Sequence, residues 1–303
     1  MVVTIDGSSD GSAAAARALP VTYPMRVLEQ ERGGPAAARN RCIEDACGDV
    51  VVFLDDDVVP DPELLSEHLA VHARDPRAVV IGPMLQPHSA RLAPWLRWDA
   101  ATLARQYDQM SRGAYEPSPR QFFTANASVR RAHLIAAGGF DERFTRAEDV
   151  ELAYRLDALG LRFHFAAGAR VYHEPDRTLA TWLRVAWDYG RFAVTMAEGP
   201  VPYYLRVAYR EHGARNPLTR WLTHWCVGHS WRTRAVVAAL GYLVSRLDRV
   251  LPERATMAGC AALFAVQFWR GVAEEQQTGA RLWGWLDASK AAAEARASAA
   301  ASR

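Results

Sequence analysis

A chain of 303 residues, half of them apolar, is long enough to bury a sizeable core and to form about two domains. The formal net charge of +2 and the absence of any basic run give nucleic acid no footing as a partner. Cys42, Cys47, Cys226 and Cys260 form no Cys-x-x-Cys pair and no zinc spacing, which argues against a disulfide framework and for a reduced, cytoplasmic setting.

Val2–Ile5 reads as a short strand ending in the turn-rich Asp6-Gly-Ser-Ser-Asp-Gly-Ser12, followed by a small Ala-rich helix to about Leu19. The opening Met1-Val-Val-Thr-Ile-Asp6 has neither the basic start nor the long apolar stretch of a signal peptide. Met25–Leu28 is a second short strand. Gly33-Gly34-Pro35 opens a helix to about Cys47, with Pro35 suited to its first position, and Gly48 ends it. Val50–Leu54 is five apolar residues in a row, the pattern of a strand buried on both faces, and it runs directly into Asp55-Asp56-Asp57. Asp61-Pro62-Glu63 starts a helix through Ala73, with Asp61 as N-cap and Pro62 at N1. Ala78–Ile81 is again a strand.

Residues 86–120 show no clear period and read as a loop with short helices. Phe122–Val129 is strand-like, and Arg130–Ala137 is a short helix ending at Gly138-Gly139. Val150–Leu159 carries a helical apolar stripe with Gly160 as its stop. Arg162–Phe165 and Ala169–Tyr172 are strands, and Thr178–Phe192 is a further helix. Strands alternating with helices across short connections predict an α/β fold with a doubly wound sheet.

In such a sheet ligands bind beyond the carboxyl ends of the strands. Acids gather there: Asp6, Asp55–Asp57, and the Glu148-Asp149 pair. Carboxylates at rigid strand ends suit Mg²⁺ or Mn²⁺, with the remaining ligands drawn from substrate phosphates; a solvated turn with caps is the competing reading of the triple. Thr145 and Glu148 have the spacing of a capping box, which accounts for Glu148 but not for Asp149.

Four motifs in order resemble the inverting family 2 glycosyltransferases of GT-A fold: Asp6-Gly-Ser-Ser-Asp-Gly-Ser, Gly-Gly-Pro-Ala-Ala-Ala-Arg-Asn40, Phe-Leu-Asp-Asp-Asp-Val-Val-Pro-Asp-Pro62, and Gly-Gly-Phe-Asp-Glu142 with Glu148-Asp149. Their order and spacing match across about residues 2–192. The resemblance implies a Rossmann-like mixed sheet and a nucleotide-sugar donor, UDP-linked in the first instance. It makes Asp6 the acid at the nucleotide base, and sets Gly34, Arg39 and Asn40 beside the nucleotide. Asp55 and Asp57 match the outer acids of the metal motif around Asp56, with Asp57 the foremost ligand and His173 near the metal. Asn126 falls near the donor sugar, and Asp149, beside Glu148, takes the place of the general base. A satisfied strand residue for Asn126, a plain loop residue for His173 and a surface arginine for Arg39 are the competing readings.

Two departures bear on function. The Gln-x-x-Arg-Trp sequence of processive synthases is absent, and after Gly190 the chain reads Arg-Phe-Ala-Val, so transfer of a single sugar is expected. The family also opens with a strand before the one that is Val2–Ile5 here. That strand is central, between this one and the Asp55 strand, and the expectation is that the native start lies upstream of Met1. The rivals are a truncated, non-catalytic glycosyltransferase-like binding or scaffold protein, and a nucleotidyltransferase, which usually shows a Gly-rich phosphate loop followed by Arg or Lys.

After about residue 199 the character changes. Residues 203–286 read as helical and hold Trp221, Trp225, Trp231, Trp269, Trp283 and Trp285 among arginines, while Ala291–Arg303 is nearly all Ala, Ser and charge. The expected organisation is therefore a catalytic domain over 1–196, a helical domain over 197–290 and a frayed tail over 291–303. The tryptophans are either core residues or a membrane-surface patch suited to a lipid-linked acceptor; a glycan or a small molecule is the alternative acceptor. Ala235–Val244 and Met257–Trp269 are both shorter than the roughly 20 residues of a spanning helix.

Overall fold

The computed structural model describes residues 1–87, 92–173, 175–199 and 201–288. The expected frayed tail lies outside them. The chain divides into two compact units, Met1–Ala90 with Leu103–Glu174 and Arg91–Thr102 with Pro175–Arg303.

The first unit contains β1 (Val2–Asp6), α1 (Ser12–Arg17), β2 (Arg26–Gln30), α2 (Pro35–Asp45), β3 (Val50–Leu54), β4 (Val58–Pro60), α3 (Leu64–Arg74), β5 (Ala78–Ile81) and β6 (Met84–Leu85). After α4 (Pro94–Ser111) come β7 (Asn126–Arg130), α5 (Arg131–Ala136), α6 (Glu148–Ala158), β8 (Arg162–Phe165) and β9 (Val171–His173). The strands form a parallel β1-β2 pair, a mixed sheet of order β3-β7-β5-β8, and a small mixed sheet of order β4-β9-β6.

The core follows from the two-residue alternation of β5. Val79 and Ile81 point into a cluster with Phe53, Val129, Leu152 and Leu156, while Ala78 and Val80 meet Leu64, Ala166 and Val171 on the opposite face. Burying an aliphatic side chain of this kind stabilises by about 1.5–3 kcal/mol, so β5, flanked by β7 and β8, anchors the unit.

Several local expectations are corrected. The strands buried on both faces are β5 and β7 and not β3: in β3 only Phe53 is buried, Val50, Val51 and Val52 are half-buried, and Leu54 is 36% exposed. The reason is its position, since β3 pairs with β7 along one edge and, among the described residues, with no strand along the other. An apolar run therefore marks burial less securely than a central place in the sheet. Asp61 does not cap α3. It closes a turn two residues earlier, accepting from the Leu64 amide through its carbonyl, and Glu63 occupies the N-cap.

Residues 86–120 are not a loop with short helices but hold the 18-residue α4. Its apolar residues form two sets: Trp95 and Trp98 pack in the second unit's core, whereas Tyr107 stacks on Phe165, ring centroids 5.5 Å apart, in the first. A helix that changes partners along its length shows no single stripe.

The second unit contains α7 (Leu179–Glu198), α8 (Tyr204–Gly213), α9 (Pro217–Cys226), α10 (Ser230–Arg246) and α11 (Glu253–Glu275). Thr178 caps α7 by accepting from the Thr181 amide. Helices α7 and α11 cross where a Cβ on Gly190 would lie 1.9 Å from the Phe268 carbonyl oxygen and one on Gly271 2.1 Å from that of Trp187. Trp269 and Trp182 are fully buried, so part of the tryptophan content is core. No helix among the described residues is long and apolar enough to cross a membrane.

Candidate active site

The site grows from the carboxyl end of β1. The parallel register sets Asp6 opposite Gln30, and the Gln30 amide donates to the Asp6 carboxylate at 2.8 Å. The same carboxylate accepts from the amides of Gly33 at 2.7 Å and Gly34 at 2.8 Å. Burial opposes its ionisation, but these donors outweigh burial and hold the carboxyl below its ordinary range. Gly34 sits at φ 88°, the left-handed region that favours glycine, and Pro35 follows as the first residue of α2. Asp6 thus fixes the turn that launches α2.

Helix α2 then presents Arg39 and Asn40. Arg39 donates to Asp55 at 2.9 Å and to Glu148 at 2.6 Å, and its guanidinium lies 5.8 Å from the centre of the Phe140 ring. Burial works against the Arg39 charge, but Asp55 and Glu148 more than offset it and raise its pKa. Asn40 turns the other way: its amide donates to the Phe140 carbonyl at 2.9 Å and to Glu142 at 3.0 Å, and its oxygen accepts from the Phe140 amide at 2.7 Å. A Cβ on Gly139 would lie 2.6 Å from that oxygen, which is why the Gly138-Gly139 turn leaves room there. Asn40 clamps the segment that leads to α6.

The expected capping box at Thr145 does not form. Ala147 is the N-cap residue, in a left-handed conformation at φ 58°, with no side-chain cap, and the Glu148 carboxylate goes to Arg39 instead. An ion pair in a nearly buried place outcompetes a local cap because a buried charge without a partner costs several kcal/mol. Asp149 follows, half-buried in the first turn of α6, accepting from the Val150 amide at 2.8 Å. Burial, then repulsion from Glu148, pushes its carboxyl up to about 7, against the pull of the Val150 amide and Arg39.

The three consecutive acids separate. Asp55 turns to Arg39, Asp56 is exposed, and Asp57 meets His173, with Oδ2 to Nε2 at 3.1 Å. That contact follows from the β4-β9 register, which pairs Val58, the residue after Asp57, with His173. One carboxylate oxygen and one imidazole nitrogen therefore face a common spot. Such a donor pair fits Mn²⁺ or Mg²⁺ completed by water and diphosphate oxygens; among the described residues no group of three or more His, Cys, Asp or Glu forms a complete protein-only cage.

Asn126 stands apart. It is fully buried, facing His68 Nε2 at 2.9 Å through its oxygen and donating to the carbonyls of Pro83 at 3.1 Å and Ala169 at 2.7 Å. Ser128 continues the network to His68 and His72. The structure thus joins Asp6 and Gly34 at one end of α2, and Arg39, Asp55, Glu148 and Asp149 farther along it, with Asp57 and His173 at the adjoining turn. Gln30 and Phe140 were not singled out in the sequence. Gln30 was detectable as the polar end of the strand parallel to β1.

The family model for glycosyltransferase-like family 2 matches residues 1–187. The pre-mycofactocin glycosyltransferase of Mycobacterium tuberculosis is 32% identical over 165 residues, 54% of this chain and 35% of that protein. The validoxylamine A glucosyltransferase of Streptomyces hygroscopicus subsp. jinggangensis is 31% identical over 188 residues, 53% of this chain and 44% of that protein. The chain thus spans under half the length of these curated relatives. Among solved structures, the mannosyltransferase PcManGT from Pyrobaculum calidifontis, in complex with GDP-Man and Mn²⁺, superposes with a TM-score of 0.57 at 21% identity, covering 89% of this chain and 76% of that one. This likeness is one of fold, the mixed α/β GT-A fold with a helical carboxyl-terminal region. With the family model matched over 187 of 303 residues, the chain belongs to glycosyltransferase-like family 2.

Proposed function

We propose that the protein is a metal-dependent inverting glycosyltransferase that moves one sugar from a nucleotide sugar to an acceptor hydroxyl on a glycan, a lipid-linked sugar or a small molecule. The observation that carries the reading is the Arg39 bridge, 2.9 Å to Asp55 and 2.6 Å to Glu148, which ties the acidic end of β3 to the helical turn bearing Asp149.

Asp149 is the general base. A carboxyl pushed up to about 7 is matched to taking a proton from a hydroxyl near neutral pH. Arg39 and Glu148 position it, and their pairing keeps Arg39 from neutralising Asp149 itself. Asp6 holds the Gly33-Gly34 turn and keeps acceptor capacity on Oδ2 for a base N–H, since a carboxylate offers about four acceptor sites. Asp57 and His173 would hold Mg²⁺ or Mn²⁺, with Asp55 alongside; when bound, the cation supplies Lewis-acid stabilisation of the departing nucleoside diphosphate. The acceptor oxygen bonds to the anomeric carbon as the bond to the diphosphate breaks, and the proton passes to Asp149. A single displacement inverts the anomeric centre, and no second acid is required.

The donor is read as a UDP-sugar. A thermal-shift titration against UDP, GDP, dTDP and CMP, with and without Mn²⁺, tests this: ligand at 100 times its Kd stabilises by about 2.7 kcal/mol. A Mn²⁺-dependent shift with one nucleotide, abolished in Asp57→Ala, is the expected result. A folded protein that responds to none of the four, with or without metal, would overturn the proposal.

A further inference from the structure

Three tryptophans that are not core, Trp221, Trp225 and Trp231, gather on one face of the second unit. On α9, Leu218 and Trp221 lie one turn apart and are 63% and 58% exposed. Trp221 stacks on Trp225 with ring centroids 5.9 Å apart, and Trp225 meets Trp231 of α10 edge-on at 6.0 Å. Trp231 is 58% exposed, and Tyr242, three turns along the same helix, is 62% exposed. Between them the outward residues of α10 include Ala235, Ala238 and Ala239, where a solvent-facing helix normally carries mixed charge. Singly exposed apolar residues are ordinary, whereas three joined tryptophans continued by an uncharged alanine stripe to Tyr242, about 16 Å along a helix, are not.

The charge within the segment that forms this face has one sign. From His212 to Leu247 the sequence holds no Asp and no Glu, while Arg220, Arg234 and Arg246 are exposed. Arg232 lies over the rings of Trp225 and Trp231 at 5.2 and 5.5 Å. An aromatic belt flanked by arginine, with no carboxylate in its own segment, complements the headgroup layer of an anionic bilayer, where indole rings settle at the interface and each arginine meets negative potential. We infer that the α9–α10 face is a docking surface for anionic phospholipid membranes, on which the protein lies without spanning.

The same features disfavour other occupants. A sugar platform needs free ring faces beside carboxylates or amides that grip hydroxyls, and here Trp221 and Trp225 cover one another while Arg232 covers Trp225 and Trp231. A second copy in a two-fold interface would bring arginine against arginine. The inference stands independently of the catalytic reading, because vesicle binding needs no sugar transfer; the two together would hold the enzyme on the surface where a lipid-linked acceptor lies.

The test is co-sedimentation of the full chain with vesicles of phosphatidylcholine alone and of phosphatidylcholine with an equal share of phosphatidylglycerol. Each arginine at the surface is worth about a fivefold change in partitioning. Binding to the anionic vesicles should exceed binding to neutral ones by at least about tenfold and weaken with salt. Arg220→Gln with Arg234→Gln should erase most of the difference, and Trp221→Ser with Trp231→Ser should lower partitioning about tenfold to either vesicle. All four side chains are exposed, so circular dichroism should be unchanged; were a variant to misfold, the contrast between vesicles and its salt dependence in the wild-type chain still decides. Equal partitioning to both vesicles, or tryptophan variants that bind as wild type, would overturn the inference. So would self-association that needs Trp221 and Trp231 in a chain that ignores vesicles.

Discussion

Asp149→Asn should make the protein more stable and less active, and the gain should grow as pH rises from about 4 and level off above about 7. The Asp149 carboxyl is raised from 3.8 to about 7, chiefly by burial and then by Glu148. For an acid whose folded pKa is raised, the native state binds the extra proton between the two values, so stability falls as pH rises through that window. The slope from one such group is about 1.4 kcal/mol per pH unit, and the window is about 3 units wide, which sets an upper bound of about 4 kcal/mol above pH 7.

Asparagine keeps the shape and the acceptor for the Val150 amide at 2.8 Å but forfeits the attraction of Arg39, so the net gain at about pH 8 should be on the order of 2 kcal/mol. At about pH 5, where Asp149 already carries its proton in the folded state, the two proteins should differ by less than about 1 kcal/mol. Urea unfolding of both proteins at the two pH values measures this directly. A gain equal at both pH values, or absent at the higher one, would refute the argument that Asp149 is held in an unfavourable ionised state. Transfer activity should fall by about 10²–10⁴-fold in the same variant, the range for loss of a general base.

Arg39→Met strips the guanidinium from Glu148, whose side chain is 9% exposed, and from Asp55, at 35%. The cost should be about 2–4 kcal/mol in urea unfolding, discounted for the wetter partner, and the acid limb of the rate profile should move to higher pH because Arg39 restrains the Asp149 carboxyl. His173→Ala should raise the Mn²⁺ concentration needed for the nucleotide-dependent thermal shift by about 10-fold or more without lowering the melting temperature of the free protein. Asn126→Ala leaves His68 Nε2 and the Ala169 carbonyl without their partner and takes from the Pro83 carbonyl one of its two donors, the Val171 amide remaining, at a cost of about 3 kcal/mol seen as a lowered denaturation midpoint. Gly190→Ala or Gly271→Ala forces a Cβ to within 1.9 or 2.1 Å of a backbone oxygen at the α7–α11 crossing. Either should destabilise by more than about 2 kcal/mol despite alanine's better helix propensity, as a melting-temperature loss of several degrees would show.

The sequence was most legible where one local rule decided the outcome. Pro35 behind Gly33-Gly34 starts α2 and Ala78–Ile81 forms β5 as expected, and α7 begins where a helix was expected, at Thr178. It was least legible where a distant partner decided. Val50–Leu54 has the composition of a central strand, but burial depends on how many neighbours a strand has, and β3 has a described partner on one edge only. The aromatic residues of α4 serve two different cores, so their spacing misreads as irregular. Glu148 fitted a local cap with Thr145 and was taken instead by an arginine 109 residues earlier.

The site follows the same division, and the three acids after β3 make it concrete. Their adjacency can be read in the chain, but their fates cannot, because each depends on a separate piece of packing. Asp55 faces α2 and is neutralised by Arg39, Asp57 faces β9 and meets His173, and Asp56 is left to water. Repulsion along the run is thereby spread over three directions. Arg39 does more than neutralise Asp55: by holding Glu148 as well, it brings a second acidic segment to the first and leaves Asp149 half-buried beside a fixed negative charge. The raised Asp149 carboxyl is thus a consequence of assembly, present in no local stretch of sequence, and it is the property that general-base chemistry near neutral pH requires.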